Sequence, residues 1–524
     1  MRMLFYKISL VTFLLIGLLG LLASWVWWLL LIAVPLFLVG IYDIVQKEHT
    51  ILRNFPVIGH FRFMLESIAP EIHQYFIEDD LSGRPISRER RALVYRRAKG
   101  ALSTHPYGTE WDLNEIGYEW LNHSMKAHFI EENDPRVLIG NEQCQQPYLA
   151  SILNISAMSF GALSANAILA LNKGAKLGNF YHNTGEGGLT PYHLNPGGDI
   201  VWQIGTGYFG CRKLDGKFDP ILFKERSQLP NVKMIEIKIS QGAKPGHGGI
   251  LPAAKVDKEI ATIRGVPMGQ DVISPPAHSS FSTPLEMMEF IAKLRELSGG
   301  KPIGFKLCLG FRTEFFALCK AMLKTKIYPD FITVDGGEGG TGAAPIEFSN
   351  VIGTPLSEAL IFIHNAIVGI GLRKKIRIIA AGKLFTGAQF VITFAKGADI
   401  CNSARGMMLS LGCIQSLRCN TNRCPTGVTT QDPKLSYGLV VEEKYKRVAN
   451  FHRETVKAIM DMVGAAGLDH PSELAPHHIY RRINSKQVEP LDRIYSYIEP
   501  GSLLKEPFPD HYAHHWKNAK AEVF

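Results

Sequence analysis

Three cysteines in one short stretch are the sharpest chemical signal in the sequence. Cys413, Cys419 and Cys424 are separated by five and by four residues, and Pro425 follows directly. Three thiolates at this spacing are typical of an iron–sulfur cluster. A structural zinc site usually needs a fourth cysteine or histidine, and the stretch contains no histidine. The triplet therefore predicts a three-iron cluster, while the nearby Cys401 keeps a four-iron cluster open.

Three glycine-rich loops predict a second cofactor site. They are DGGEGGTGAAP (335–345), AAGKLFTG (380–387) and SARG (403–406), and each belongs to or follows an apolar run that predicts a strand. In barrel enzymes the loops after strands seven and eight commonly bind a phosphate, because bare backbone N–H groups approach the anion closely. A phosphate-bearing cofactor such as FMN fits this pattern. The candidate residues are Asp335, Gly336, Gly337, Gly339, Gly340, Gly382, Gly387, Arg405 and Gly406.

Charged and polar residues also lie at the ends of earlier apolar runs. They are Glu186, Lys238, Gln241, Lys244 and Lys306. A reduced flavin carries negative charge near its pyrimidine edge, and a dicarboxylate carries two more negative charges. Lysines at one mouth would stabilise both anions. These residues therefore predict an anionic substrate in front of a flavin.

The elements that must position these residues read as an α/β barrel. Eight short apolar runs end in polar or glycine residues, namely SILNISAM, NFYHNTGE, MIEIKIS, DVISPP, IGFKLCL, FITVDGG, IRIIAAG and DICNSARG. Stretches of helical composition, such as 285–297 and 314–323, separate most of them, as a parallel α/β fold requires. An open doubly wound sheet is the competing fold. Polar residues at the ends of the runs favour the closed (β/α)8 TIM barrel.

The N-terminal sequence predicts a membrane anchor. Residues 8–44 are almost uninterruptedly apolar, with Asp43 as the only charge, whereas one bilayer crossing needs about 20 apolar residues. This length favours a hairpin of two transmembrane helices, with a single tilted helix or a cleaved signal peptide as alternatives. Basic residues flank the run on both sides and place both ends, and the soluble part, on the cytoplasmic side of the cell membrane. They are Arg2, Lys7, Lys47, Arg53 and Arg62.

The amino-acid composition excludes several other classes of protein. Hydrophobic residues make up 46% of the chain and charged residues 20%, which excludes disorder as the main state. The net charge of +9 is not gathered into a basic tract with interleaved aromatics, so we expect no nucleic-acid binding. Eight cysteines in 524 residues form no dense disulfide framework.

The same patterns predict four regions along the chain. They are an anchor over 1–46, a helical connecting region over 47–135, the barrel with its cysteine loop over 136–439, and a C-terminal helical region over 440–524. From Lys505 onward, this last region reads as a solvated tail.

Longer motifs give the chain a family resemblance. In order between Ile152 and Gln431 they are ISAMSFGALS, NTGEGG, QIGTGYFG, IKISQGAKPGHGGILP, DVISPPAHSSFS, DGGEGGTGAAP and LGCIQSLRCNTNRCPTGVTTQ. On these motifs the chain resembles the FMN-binding synthase domain of glutamate synthases. The resemblance implies reductive amination of 2-oxoglutarate with ammonia, using electrons that pass through a 3Fe-4S cluster to FMN. It also implies an electron donor such as ferredoxin or another reductase.

The resemblance assigns roles to individual residues. The cysteine triplet matches the cluster ligands, and Glu186, Lys238, Lys244 and Arg264 match the family's contacts with 2-oxoglutarate. Lys244 is the candidate for proton transfer, with Glu186 as the second catalytic candidate. The parts that match flavin contacts are the three glycine loops together with Ser156, Met158, Ser159, Gln203, Gln241 and Lys306.

Departures from the family pattern widen the choice of reaction. The family's QGAKPGEGGQLPG is QGAKPGHGGILPA here, so His247 replaces a glutamate and Ile250 replaces a glutamine that contacts the oxo acid. A membrane segment stands where full-length enzymes carry a glutaminase domain, so we expect free ammonia or ammonia from a separate glutaminase. Two alternatives stay open: amino or methylamino transfer like that of N-methylglutamate synthase, and a non-catalytic membrane redox module.

Overall fold

The chain folds into two compact units, Met1–Arg88 and Glu89–Phe524. The computed structural model describes residues 1–102, 104–131 and 134–524. Ser103, Glu132 and Asn133, which belong to the predicted connecting region, lie outside the described residues.

The first unit is built from apolar helices. Its elements are α1 (Arg2–Gly20), a 3-10 helix (Ser24–Leu29), α2 (Leu30–Val45), α3 (Thr50–Asn54), α4 (Gly59–Ile72) and a π-helical turn (His73–Ile77). The segments Arg2–Gly20 and Ser24–Val45 are each long and apolar enough to cross a membrane, a test that a signal sequence near the N-terminus also passes. The Phe37 ring lies 5.9 Å from Phe5 and 5.5 Å from Phe13, so α1 and α2 pack as a hairpin.

Eight parallel strands of the second unit close into a barrel. Strands outside it are β1 (Glu119–Leu121), β2 (Arg136–Ile139), β3 (Tyr148–Ser151), β8 (Ile250–Leu251), β9 (Val272–Ile273), β14 (Ile479–Arg482) and β15 (Val488–Pro490). The barrel strands are β4 (Leu153–Ile155), β5 (His182–Asn183), β6 (Ile200–Ile204), β7 (Val232–Lys238), β10 (Ile303–Leu307), β11 (Phe331–Asp335), β12 (Arg377–Ala381) and β13 (Ile400–Ser403). They pair in chain order, and β13 closes on β4. The predicted (β/α)8 barrel is confirmed.

Helices lie before, between and after the barrel strands. They are α5 (Arg88–Lys99), α6 (Ala165–Leu177), α7 (Pro191–Leu194), α8 (Pro220–Ser227), α9 (Lys258–Arg264), α10 (Pro284–Leu297), α11 (Arg312–Thr325), α12 (Ile346–Val351), α13 (Leu356–Gly369), α14 (Gly387–Ala395) and α15 (Arg405–Leu411). The predicted helices over 285–297 and 314–323 correspond to α10 and α11. Thr283 and Glu286 form a capping box at the start of α10, with Pro284 in its first turn, which explains where this helix begins.

One of the eight predicted barrel strands is wrong. The DVISPP run forms β9, which pairs antiparallel with β8 outside the barrel. Pro275 and Pro276 follow at once and cannot donate to a strand ladder, which keeps this run short. The third barrel strand is instead β6, whose five residues are all buried.

The barrel interior is apolar at the amino-terminal end of the strands. A buried cluster there consists of Ile139, Ala150, Tyr181, Val201, Met234, Phe331, Ile379 and Ile400. Two of its members, Ile139 and Ala150, come from the antiparallel hairpin of β2 and β3, so this hairpin closes that end. Polar side chains lie instead at the carboxyl-terminal ends of the strands, where barrel enzymes have their active sites.

The C-terminal region packs on the barrel helices. It contains α16 (Pro433–Ser436), α17 (Val441–Ala465), α18 (Leu491–Ile494) and α19 (Asp510–Asn518). The prediction of a solvated tail from Lys505 is wrong, because Tyr512 and Trp516 of α19 are buried. The Trp516 ring lies 5.3 Å from Phe316 of α11. These two aromatics are four residues apart and share one helix face, a signal that the surrounding histidines and lysines mask.

Candidate active site

Four charged side chains form a buried group that we call the clamp: Glu186, Lys238, Lys244 and Arg264. Glu186 lies in the turn after β5, Lys238 ends β7, Lys244 follows β7, and Arg264 ends α9. Lys238 Nζ lies 2.8 Å from Glu186 Oε1. Both Lys244 and Arg264 act electrostatically on the Glu186 carboxylate. The structure thus brings together the four residues predicted to bind substrate.

The charges in the clamp do not cancel. Burial raises the pKa of Glu186, but Lys238, Lys244 and Arg264 more than offset this and hold it below its usual value. Burial lowers the pKa of Lys244 to about 8 and that of Arg264 to about 10, although Glu186 opposes both shifts. Three cations face one carboxylate, so two positive charges remain for an anionic ligand. Such an excess of buried charge is typical of a binding site.

Arg264 has a donor to spare. Its Nη2 donates to the Phe160 carbonyl at 3.1 Å, and its guanidinium stacks over the Phe209 ring at 5.1 Å. Its buried Nε has no hydrogen-bond partner within the described part of the chain. A buried donor of this kind calls for an acceptor, and beside the other clamp residues a bound anion can supply it.

Lys244 is held on one side only. Its Nζ donates to the Ala343 carbonyl at 2.9 Å, which uses one of the three N–H donors of an ammonium. Ala343 belongs to the glycine-rich loop after β11. Lys244 therefore connects the clamp to a loop that was predicted to bind the cofactor.

Glycines let the surrounding loops close on the clamp. A Cβ at Gly249 would lie 2.5 Å from Glu186 Oε1, and one at Gly205 would lie 2.7 Å from Glu186 Cβ. Ile250 follows Gly249 directly and begins β8, so this family departure lies beside the clamp. His247 is bonded to the Gly248 carbonyl at 2.9 Å and packs edge-on against Phe348.

A pocket, here called the mouth pocket, opens at the carboxyl ends of the strands. Its lining contains eight predicted cofactor residues, namely Ser156, Gln241, Lys306, Asp335, Gly339, Gly340, Gly382 and Arg405. Lys306 Nζ lies 3.3 Å from Asp335 Oδ2. Burial lowers the pKa of Lys306, but Asp335, Glu236 and Glu186 raise it above its usual value, so this ammonium stays charged. Lys306 also pairs with Lys238 across β10 and β7, so the mouth pocket adjoins the clamp.

Glycines form part of the wall of the mouth pocket. Gly382 has a φ of +144°, which side-chain-bearing residues rarely adopt. A Cβ at Gly340 would lie 2.9 Å from Arg405 Nε. Arg405 Nη2 donates to the Glu338 carbonyl at 2.6 Å, which fixes the guanidinium at the rim.

The other predicted cofactor residues lie behind or beside this wall. Met158 N donates to the Asn183 carbonyl at 3.2 Å, and a Cβ at Gly185 would lie 2.9 Å from Ser159 N. Gly336 N and Gly337 N donate to the Ala381 and Thr354 carbonyls, so these two N–H groups are already used.

Two predicted glycines serve helix packing. A Cβ at Gly387 would lie 3.2 Å from Ala458 Cβ, and one at Gly406 would lie 3.2 Å from the Phe451 ring. Ala458 and Phe451 belong to α17, so these glycines allow α17 to approach α14 and α15.

Glu236 is a buried carboxylate that the sequence reasoning missed. Its Oε2 accepts from Asn183 Nδ2 at 2.8 Å and from Gln203 Nε2 at 2.6 Å, and its Oε1 accepts from Thr333 Oγ1 at 2.6 Å. A carboxylate only accepts, so the Gln203 amide must turn its NH2 toward it and its carbonyl oxygen away. The signal was available, because Glu236 lies two residues before Lys238 and shares its strand face.

His278, from the PPAHSSFS motif, supports the clamp from outside. Its Nε2 lies 2.8 Å from the Lys238 carbonyl oxygen, and its Nδ1 lies 3.0 Å from Tyr208 Oη. Burial lowers the pKa of His278 to about 4, so the ring is neutral at physiological pH. The sequence reasoning gave this histidine no role, since both of its partners are distant along the chain.

The three cysteines lie in one loop after α15. Burial raises the pKa of Cys413 to about 12, and the thiols of Cys419 and Cys424 act on it in the same direction. Among the described residues, no three Cys, His, Asp or Glu side chains converge on a single metal ion. Ligands of a cluster bind different irons, however, and need not converge on one point. Three free thiols in mutual electrostatic reach fit that donor set.

A buried lysine faces the cysteine loop. Lys255 Nζ donates to the carbonyls of Ala162 at 3.0 Å and Thr429 at 2.8 Å. Burial lowers its pKa to about 8, while Cys419 and Cys424 act in the opposite direction. Lys255 was not predicted, because nothing in the sequence connects it with the loop.

Comparisons with known proteins show the family to which the chain belongs. The family model described as "Conserved region in glutamate synthase" matches residues 113–469. The "Glutamate synthase large subunit-like protein YerD" of Bacillus subtilis (strain 168) is 38% identical over 508 residues, which cover 88% of this chain and 96% of that protein. The "Archaeal glutamate synthase (NADPH)" of Methanocaldococcus jannaschii is 35% identical over 342 residues, 64% of each chain.

A solved structure also aligns with the chain. A mutant flavocytochrome b2 with benzoylformate aligns with 87% of this chain over 97% of its own length, at 13% identity and a TM-score of 0.43. The family model and the Bacillus subtilis relative together show that the chain belongs to the glutamate synthase family of oxidoreductases.

Proposed function

We propose that this protein reductively aminates 2-oxoglutarate to glutamate, using electrons that pass through a 3Fe-4S cluster to FMN. The observation that carries this proposal is the clamp, in which three cations and one carboxylate lie buried beside the mouth pocket. A pure electron relay would need no such group. The overall change joins ammonia to the oxo acid with loss of water and then adds two electrons and two protons to the C=N bond.

The clamp binds and orients the oxo acid. Arg264 Nε and the ammonium of Lys238 are donors for the two carboxylates, since both are buried and charged. Glu186 holds Lys238 in place through its 2.8 Å contact. Fixing both ends of the substrate in this way lets the reacting carbon lie at the mouth pocket.

Lys244 transfers the protons. Its pKa of about 8 is close to physiological pH, where a general acid is most effective. Its Nζ is held by one carbonyl at 2.9 Å, so it has donors left to protonate the departing oxygen and the amine nitrogen.

The residues of the mouth pocket fit FMN. The buried Lys306 ammonium suits the pyrimidine edge of the ring system, and the loops that contain Gly382 and Arg405 suit the phosphate. When bound, FMN supplies the two electrons that reduce the C=N bond. Gln203 would accept from a ring N–H, because Glu236 fixes its amide with the oxygen free.

The cysteine loop fits an electron-entry site. Cys413, Cys419 and Cys424 would hold the cluster, and the buried Lys255 would stabilise its negative charge. Ferredoxin or another reductase would deliver the electrons. Ammonia would be free or come from a separate glutaminase.

Location at the cell membrane completes the proposal. Two apolar helices and flanking basic residues support a transmembrane hairpin with the barrel in the cytoplasm. The anchor would bring the barrel close to a membrane-associated electron source.

Cofactor and product analysis tests the proposed reaction. We expect anaerobically purified protein to contain one FMN and about three irons with matching acid-labile sulfide, and to convert 15N-ammonium and 2-oxoglutarate into 15N-glutamate. Cys419→Ser should lose the iron and keep the FMN. Zinc in place of iron would contradict the cluster, and absence of labelled glutamate would contradict the reaction. Product only from methylamine would favour N-methylglutamate formation.

A further inference from the structure

We infer that α4 and the turn after it form an interfacial helix that lies on the membrane with one apolar face in the lipid. This inference deepens the proposed membrane anchor and rests on it. The occupant of the apolar face is thus the lipid bilayer that α1 and α2 enter.

An apolar stripe runs along α4 and the π-helical turn. Its members follow one another at intervals that place them on one helix face, and their exposed fractions lie between 38% and 85%. A stripe of this length facing water would be an aggregation liability, so it indicates an interaction surface. The stripe consists of Phe61, Met64, Leu65, Ile68, Ile72, Tyr75 and Phe76.

The rest of the α4 surface is polar or packed inward. Arg62 and Glu66 form an exposed ion pair at 2.8 Å on the other side of the helix. Phe63, which falls outside the stripe, contacts the His49 ring at 5.5 Å within the same unit. A helix with one exposed apolar face and one charged face is typical of segments that lie in the membrane interface.

A buried aspartate fixes the start of α4 at the end of the second apolar segment. The Asp43 carboxylate is fully buried and accepts from Val57 N at 2.9 Å and from His60 Nε2 at 2.9 Å. Asp43 lies two residues before α2 ends at Val45, which is about 3 Å along the helix axis. The first turn of α4 is therefore held where α2 would leave the bilayer.

The loop before α4 continues the apolar surface. Phe55 and Ile58 are exposed, and they line one apolar groove together with Phe5 of α1 and Phe37 of α2. Because this apolar loop shares a groove with both apolar helices, it would contact the same lipid as they do. Continuity of groove, loop and stripe favours lipid over a protein partner.

Photocrosslinking in vesicles tests this inference on the full chain. The protein is reconstituted in vesicles of phosphatidylethanolamine and phosphatidylglycerol, with a benzophenone amino acid at Ile68 or Phe61 in the stripe, or at Glu66 on the polar face. We expect lipid adducts from Ile68 and Phe61 at several times the yield from Glu66. Equal yields, no lipid adducts, or adducts of Ile68 with the barrel or a second copy would overturn the inference.

A carbonate wash distinguishes failure of the interfacial helix from failure of the proposed membrane anchor. Protein that stays in the washed vesicles but gives protein adducts from Ile68 retains its anchor and lacks an interfacial helix. Protein that leaves the vesicles contradicts the proposed anchor, and the inference falls with it.

Discussion

At the scale of single residues, Arg264 is the clamp residue whose loss we expect to weaken substrate binding most directly. Its buried Nε lacks a described partner, and loss of a charged contact to a buried group costs roughly 2–5 kcal/mol. Arg264→Ala should therefore raise the Kd for 2-oxoglutarate by at least about tenfold while FMN content stays unchanged. Binding is measured by titration calorimetry on the FMN-loaded protein.

Arg212 offers a matched control for this prediction. Its guanidinium faces the same Phe209 ring at 5.4 Å, but the side chain is only half-buried and lies outside the clamp. Arg212→Ala should leave the Kd unchanged. If Arg264→Ala bound 2-oxoglutarate as well as the parent protein does, Arg264 would have no role in the site.

Lys244 makes the reaction depend on pH. Burial lowers its pKa to about 8, and only the ammonium form, which predominates below that pH, donates a proton. We expect kcat/KM for 2-oxoglutarate, at constant free ammonia, to fall as the pH rises through about 8. Lys244→Arg should move any remaining decline to higher pH. A parent profile that stays flat well above pH 8 would exclude Lys244 as the acid.

At the scale of elements, Glu236 connects four barrel strands. It accepts from β5, β6 and β11 while belonging to β7. Glu236→Gln would point an NH2 group at one of these three donors, and a buried donor left without an acceptor costs about 1–3 kcal/mol. The apparent Tm of the FMN-loaded protein should fall by several degrees, as measured by differential scanning calorimetry. The exposed Glu225→Gln on α8 should leave it unchanged, and an equal Tm for both variants would refute the role of Glu236.

The elements that sequence predicted well are those with a local signal. Polar and glycine residues at strand ends predicted the barrel, because each such signal lies within a few residues. The clamp was predicted as a set only through the family resemblance, since Arg264 ends a helix and not a strand. Glu236 escaped notice because its three partners are 33, 53 and 97 residues away. The helix α19 was missed because its two aromatics are surrounded by charged residues.

At the scale of the whole molecule, we expect the first unit to hold the protein at the membrane and the second unit to contain the chemistry. The unit Glu89–Phe524 contains the whole barrel, the clamp and the cysteine loop, so a chain that begins at Glu89 should fold, stay in solution and retain FMN. Gel filtration and flavin absorbance measure this. A chain that lacks only residues 1–46 keeps α4 and should still bind vesicles. Aggregation of the Glu89 chain without flavin would show that the first unit is part of the barrel's fold.

Oxidation of the reduced flavin by substrate is the most direct test of imine reduction at the clamp. The full-length protein is reduced anaerobically and mixed in a stopped-flow instrument with 2-oxoglutarate, with ammonium, or with both. We predict that the flavin stays reduced with either compound alone and is oxidised by both together, with one glutamate formed per flavin. A flavin that stays reduced in the presence of both would contradict the proposed reaction and leave a redox module without turnover.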